Sequence, residues 1–173
     1  MLSTHHLTIQ TPSQPGIKLR SITEKDIELL RVWKNAHRYS FFFQEIINPE
    51  QQRWWFKQFC AREHDYMFMV QNDQLDIGCM GFRLMDEKID IYNVILGREE
   101  YRGTGIMSIA LALMNGFIII RFMEDVTAKV LYTNSALGWY LKNGFEIVET
   151  HDTYYLIRLF PKSCPFEVHS QIV

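Results

Sequence analysis

A chain of 173 residues with a net charge of −2 and a pI near 6.3 lacks the overall basicity of a nucleic-acid binder or of a protein drawn to an anionic membrane. Hydrophobic residues make up 47% and charged residues 22%, which excludes a disordered or fibrous chain and allows one well-buried core. The three cysteines, Cys60, Cys79 and Cys164, are odd in number and without C-x-x-C spacing, so neither a zinc site nor a disulfide framework is expected, and reduced thiols in a cytoplasmic protein are.

The N-terminal stretch MLSTHHLTIQTPSQPG has no basic start followed by an apolar block and is expected to be a loose arm over residues 1–16. IKLRSI, 17–22, alternates apolar and polar residues as a half-buried strand does. Thr23 then precedes Glu24, Asp26 and an apolar series at Ile27, Leu30 and Trp33, predicting an N-capped helix to about Asn35. Asn48-Pro49-Glu50 is a second helix start, with QQRWWFKQFC as its body. Strands are predicted over 66–70, 75–84 and 89–96, separated by turns at Asn72-Asp73 and Asp86-Glu87-Lys88, as an antiparallel meander.

Ile106, Ile109, Ala110, Leu113 and Phe117 recur at the spacing of one buried helix face. A strand over 126–132, a helix over 135–142 and strands over 145–149 and 154–160 follow, with Asn143-Gly144 as helix C-cap. The run around 116–120 is interrupted by Arg121 too early to span a bilayer. The predicted class is α+β, one domain over 17–160 with a mostly antiparallel sheet, and 161–173 as a tail.

Between the meander and the long helix lies GREEYRGTGIM, 97–107. A Walker loop is excluded because Ile106 and Met107 stand where lysine and serine or threonine are needed. A dinucleotide fingerprint fails at Ser108, where a third glycine or alanine belongs. Two readings remain: a tight turn, or a backbone cradle for a polyphosphate at a helix N-terminus.

Arg102-Gly103-Thr104-Gly105 at this strand-to-helix junction resembles the acetyl-CoA signature of the Gcn5-related N-acetyltransferase (GNAT) superfamily, with Tyr101 in place of the leading arginine or glutamine. Ala136 to Phe145, ALGWYLKNGF, resembles the family's second motif, A-x-x-x-Y-x-x-x-G-F, and the order of elements from Ile17 to about Phe160 is also similar. The resemblance implies acetyl-CoA as donor and no metal. The pantetheine arm would pair with the backbone of Val94, Ile95 and Leu96 as an added strand would. The pyrophosphate would lie on the amides of Arg102, Gly103, Thr104, Gly105 and Ile106, with the Arg102 guanidinium assisting.

Acetyl transfer to an amine needs a deprotonated nucleophile, donors for the oxyanion and a proton for the departing thiolate. The resemblance gives the oxyanion to a backbone N–H near Leu96 and the thiolate to Tyr140, which also borders the cofactor. The usual strand glutamate falls on Tyr92. Asp90, two residues earlier on the same strand face, and Glu45, in the aromatic loop, are the substitute candidates for the base, with His37 behind them. Relatives have asparagine where Thr133 stands; Asn134 beside it is the alternative partner for the cofactor arm.

Acceptor choice is expected from RVWKNAHRYSFFFQEI and QQRWWF. Phe41, Phe42 and Phe43 cannot all share one face, so at least one is expected to reach the acceptor cleft or a partner subunit, as in a homodimer. The similarity extends both to acetyltransferases of nucleotide-linked amino sugars and to those of ribosomal-protein N-termini. A small-molecule amine is favoured slightly over a peptide N-terminus. A non-catalytic acyl-CoA-binding module is the alternative that the missing glutamate leaves open.

Overall fold

The computed structural model describes residues 6–160, 165 and 167–172. The meander begins earlier than the sequence predicts. Leu7–Gln10 forms a first strand, β1, antiparallel to β2 (Ile17–Ser21), and its Leu7 and Ile9 are buried. Within the expected arm, residues 7–10 therefore belong to the sheet, because LTIQ carries two apolar side chains on one face that the core covers; residues 1–5 lie outside the described residues. The expected tail also contains structure: His169–Ile172, β9, pairs with the outer edge of β1. Residues 161–164, 166 and 173 of that tail lie outside the described residues.

Thr23 opens the first helical segment as predicted, its N–H donating to Asp26 Oδ2 at 2.7 Å. The chain makes one 3₁₀ turn over Glu24–Asp26 before α1 (Ile27–Ala36). Asn48 and Gln51 cap α2 (Pro49–Ala61) reciprocally, each side chain accepting from the other's backbone N–H at 2.9 and 2.8 Å. Strands β3 (Asp65–Asn72), β4 (Leu75–Met85) and β5 (Lys88–Leu96) follow, then α3 (Ile106–Phe122), β6 (Asp125–Leu131), α4 (Leu137–Lys142), β7 (Phe145–Thr150) and β8 (Tyr154–Leu159).

The nine strands among the described residues form one sheet in the order β7-β8-β6-β5-β4-β3-β2-β1-β9. Every neighbouring pair is antiparallel except β5 and β6, which run parallel. Two apolar layers cover its faces. Helix α3, with Leu111, Leu113, Met114 and Ile118 fully buried, packs with α4 against one face. Leu30 and Trp33 of α1 and Phe59 of α2 meet Met67, Met69, Cys79 and Ile95 on the other. Strand alternation supplies both layers: Phe68 and Val70 point to α3, Met67 and Met69 to α1 and α2.

No helix among the described residues is long and apolar enough to cross a membrane. Cys60 is exposed and Cys79 buried, both as free thiols; Cys164 lies outside the described residues.

Candidate functional site

The parallel pairing of β5 with β6 covers only Lys88 to Ile91 against Asp125 to Ala128. Beyond Ile91 the two strands diverge, and the backbone of Tyr92 to Leu96 keeps β4 on one side and a gap on the other. The divergence coincides with a β-bulge. Gly81 faces Tyr92 and Cys79 faces Ile95, so β5 spends one more residue than β4 over the same interval. Asn93 absorbs it with φ of +50°, a left-handed conformation that asparagine tolerates better than most residues. As a result Val94 turns to the α3 layer and Ile95 to the α1–α2 layer.

At the end of β5, Gly97 has no room for a side chain: a Cβ there would lie 2.0 Å from the Trp33 ring. The chain then makes a 3₁₀ turn over Glu99–Tyr101 and enters α3 through Gly103 and Gly105, with φ of +76° and +83°. Nothing lies within 4 Å of a Cβ built on either glycine. The glycines are there for backbone shape, and their open side faces the N-terminus of a 17-residue helix whose first amides lack intrahelical acceptors. The Arg102 side chain is exposed and paired with Glu99 at 2.6 Å.

On the α1–α2 face a cavity of about 980 Å³ opens over the divergence. Phe41, Phe42, Phe43, Trp54 and Trp55 form its aromatic wall, and Asp90, Tyr92, Asn93 and Ile95 its floor. All three consecutive phenylalanines line it. Phe42 and Phe43 are exposed, and Phe42 meets the Tyr154 ring edge-on at 5.5 Å. The Lys34 side chain enters from α1, its Nζ 2.5 Å from Asn93 Oδ1 and 3.2 Å from the Phe41 ring centroid. Burial lowers its pKa to about 7.

Of the residues expected at a site, Val94, Ile95, Leu96, Arg102, Gly103, Thr104, Gly105 and Ile106 are on the gap edge of β5 or on the loop that continues it. Tyr140 is buried on the opposite face of the sheet, its ring 4.9 Å from Trp139 and 5.5 Å from Phe145. Burial raises its phenol pKa well above the ordinary value, and Asp90 adds to the rise. Trp139 Nε1 donates to Ser108 Oγ at 2.9 Å and thereby fastens α4 to the first turn of α3.

The base candidates separate. Asp90 lines the cavity, but one of its oxygens accepts from both Arg83 Nε and Nη2, at 3.1 and 3.0 Å. Glu45 is exposed and does not line the cavity, since the loop turns its phenylalanines inward instead. Tyr92, in the register of the missing glutamate, donates its hydroxyl to the buried Asp65. His37 is outside the cavity wall as well. Asn134 uses its side-chain oxygen on the Ala136 N–H at 2.9 Å and its amide on the Ser40 carbonyl at 3.4 Å. Together with Thr133 Oγ1, 2.7 Å from the Tyr39 carbonyl, it fastens the β6–α4 loop to the aromatic loop.

Lys34 lies in the acceptor-side stretch that the sequence marks, where it is given no role of its own. The signal was present: Leu30, Trp33 and Lys34 stand at i, i+3 and i+4, placing the lysine on the buried stripe of its helix. The bulge had no such signal, because no turn residue other than Asn93 marks it in the strand YNVIL.

The acetyltransferase (GNAT) domain family matches residues 17–146. Among solved structures, the Campylobacter jejuni N-acetyltransferase PseH in complex with acetyl coenzyme A superposes with a TM-score of 0.64 at 21% identity, over 83% of this chain and 97% of that one. FdhC, a nucleotide-linked sugar GNAT, gives 0.70 at 18% over 89% of each chain. The ribosomal alpha-N-protein acetyltransferase RimL in complex with coenzyme A gives 0.66 at 17%, over 94% of this chain and 97% of its own. A comparison with curated proteins found no match. With the family matched across three quarters of its length and the diverging strands, glycine loop and α4 in place, the chain belongs to the GNAT acetyltransferase family.

Proposed function

We propose that the protein transfers the acetyl group of acetyl-CoA directly to the primary amine of an anionic small molecule, a nucleotide-linked amino sugar being the class that fits best. The charge and aromatic content of the acceptor-side cavity carry this reading. Its wall holds Lys34, Arg62, Arg83, Lys88 and Lys129 against Asp86 and Asp90. Arg83 is paired with Asp90 and Arg62 with Asp65, and the remaining lysines still outnumber Asp86. A polyamine would be repelled there, whereas a diphosphate would be drawn in. The exposed rings of Phe42, Phe43 and Trp54 offer faces for a nucleobase or sugar to stack on.

The donor side supports the same reaction. Gly103 and Gly105 leave their outer side open, as close approach of a pyrophosphate requires, and the helix dipole of α3 favours the charge. Arg102 could exchange Glu99 for a phosphate oxygen without losing a charge partner. The gap edge of Val94 to Leu96 suits the amide-bearing arm of CoA, as an extra strand would be accommodated. A backbone N–H near Leu96 would stabilise the oxyanion. Tyr140, kept protonated by burial, would supply the proton to the thiolate.

The test is a panel of amines incubated with acetyl-CoA, read by release of the CoA thiol: UDP-glucosamine, a peptide with a free N-terminus and spermidine. Turnover with the nucleotide sugar, at a kcat/KM at least about tenfold above the others, is the expected result. Preference for the peptide would instead make this a protein N-terminal acetyltransferase. Tight acetyl-CoA binding without release for any amine would make it a binding module.

A further inference from the structure

Lys34 is placed at the reaction centre by contacts that the proposed reaction does not yet use. It projects from the buried stripe of α1, and its Nζ is held between the Phe41 face and Asn93 Oδ1. Asn93 is the left-handed residue of the bulge where β5 leaves β6. The lysine nitrogen is thus fixed on the acceptor side of the gap in which the thioester would lie.

The groups around it leave it without a carboxylate partner. From β4 come the Cys79 thiol, pushed up to about 12 by burial, and Arg83, tied to Asp90 of β5. Tyr92 is bonded to Asp65 of β3, which Arg62 at the end of α2 also holds. Lys129 reaches the cavity from β6, and α2 contributes tryptophans and two glutamines. Among the described residues no ion pair of Lys34 is present.

We infer that Lys34 is the general base of the reaction, taking the proton of the incoming acceptor ammonium in place of the strand glutamate whose register Tyr92 occupies. This rests on the acetyl-transfer reading above. The other candidates are engaged: Asp90 by Arg83, and Tyr92 as a donor whose buried phenol is held well above its ordinary pKa. Desolvation brings Lys34 to about 7, where amine and ammonium are both populated. The Asn93 oxygen and the Phe41 face then receive the ammonium once it forms.

The protons balance. The acceptor ammonium gives one proton to Lys34 Nζ, and its freed lone pair attacks the thioester carbonyl. The C–N bond forms, the C–S bond breaks, and the sulfur takes the Tyr140 proton. The second proton leaving the acceptor nitrogen returns to the Tyr140 oxygen through water, and Lys34 discharges its own to solvent between turnovers.

Three readouts test this on the full chain. NMR titration of protein labelled with ¹³C-lysine, with Lys34→Met assigning the signal, should show a midpoint near 7; a midpoint near 10 overturns the inference without reference to any acceptor. With an amine that the panel shows to be acetylated, kcat/KM should fall on the acid side of that midpoint. Lys34→Met and Lys34→Arg should both lose this limb and about 100-fold in rate at pH 7, because a guanidinium keeps the charge but does not titrate. Full activity of Lys34→Arg would make Lys34 a fixed cation only. A mass increase of one acetyl group on Lys34 after incubation with acetyl-CoA alone would make it a nucleophile. If the panel yields no turnover but the midpoint is near 7, the acceptor reading fails and the assignment of Lys34 as a titrating group stands.

Discussion

Tyr140 combines a packing role with the proposed role of acid, and a single substitution separates them. Its ring packs against Trp139 and Phe145 within the α3 layer, while its hydroxyl is the only part that a phenylalanine lacks. Burial raises the phenol pKa, so the group remains protonated through neutral pH and suits donation to a thiolate better than proton abstraction. Tyr140→Phe should therefore lower kcat by about 100-fold and leave acetyl-CoA affinity and thermal stability nearly unchanged. Steady-state kinetics beside a thermal melt checks this, and an unaltered kcat would remove the hydroxyl from the mechanism. Lys34 shows the opposite economy at this scale: burying a cation without a carboxylate partner opposes folding, a cost accepted at a functional position.

Among the elements, the loop entering α3 offers the most direct test of the proposed donor site. Gly103→Val forces a branched residue into φ of +76°, at a cost of about 1–2 kcal/mol, yet its side chain would meet open space. The variant should fold, with a melting point lower by roughly 2–8 °C. Its acetyl-CoA dissociation constant should rise by about 100-fold or more, since the loss of two well-made phosphate contacts is worth roughly 3 kcal/mol. Calorimetric titration decides, and an unchanged constant would place the pyrophosphate elsewhere. This loop and α3 were legible in the sequence because glycine at positive φ and a helix-period apolar stripe leave local marks. The meander was legible through strand alternation and turn residues, the first turn falling at Asp73-Gln74, one residue later than Asn72-Asp73, and the second at Asp86-Glu87. Strand β9 was not, since HSQI is exposed along its whole length and owes its conformation to pairing with β1. The cavity was only partly legible: the aromatic residues could be named, but that Glu45 turns outward while Lys34 turns inward depends on tertiary packing.

At the scale of the molecule, β1 joins the core to a sheet edge far from the diverging strands. Ile9 is fully buried and Leu7 is anchored by its N–H on Ser21 Oγ at 3.0 Å. Ile9→Ala should cost about 2–5 kcal/mol in denaturant unfolding with no change in KM for acetyl-CoA. A neutral effect would return this segment to the status of an arm. Arg20 strengthens the same region by bonding Asp26 through two nitrogens and Asp76 through one, each at 2.8 Å, so the strand leading into α1 is held at a fixed angle to β4.

The extra residue at Asn93 also imposes a parity on β5. Side chains alternate between the two faces of the sheet, so Ile95, three positions after Tyr92, shares its face only because Asn93 is an extra residue. Flattening the bulge with Asn93 retained would exchange the two faces for everything downstream, turning Ile95 toward α3 and Val94 toward the cavity, whereas deleting Asn93 would restore plain alternation and leave both where they are. The bulge thus uncouples strand length from facing: β5 carries one residue more than β4 without moving Val94 or Ile95 off the layer against which each packs.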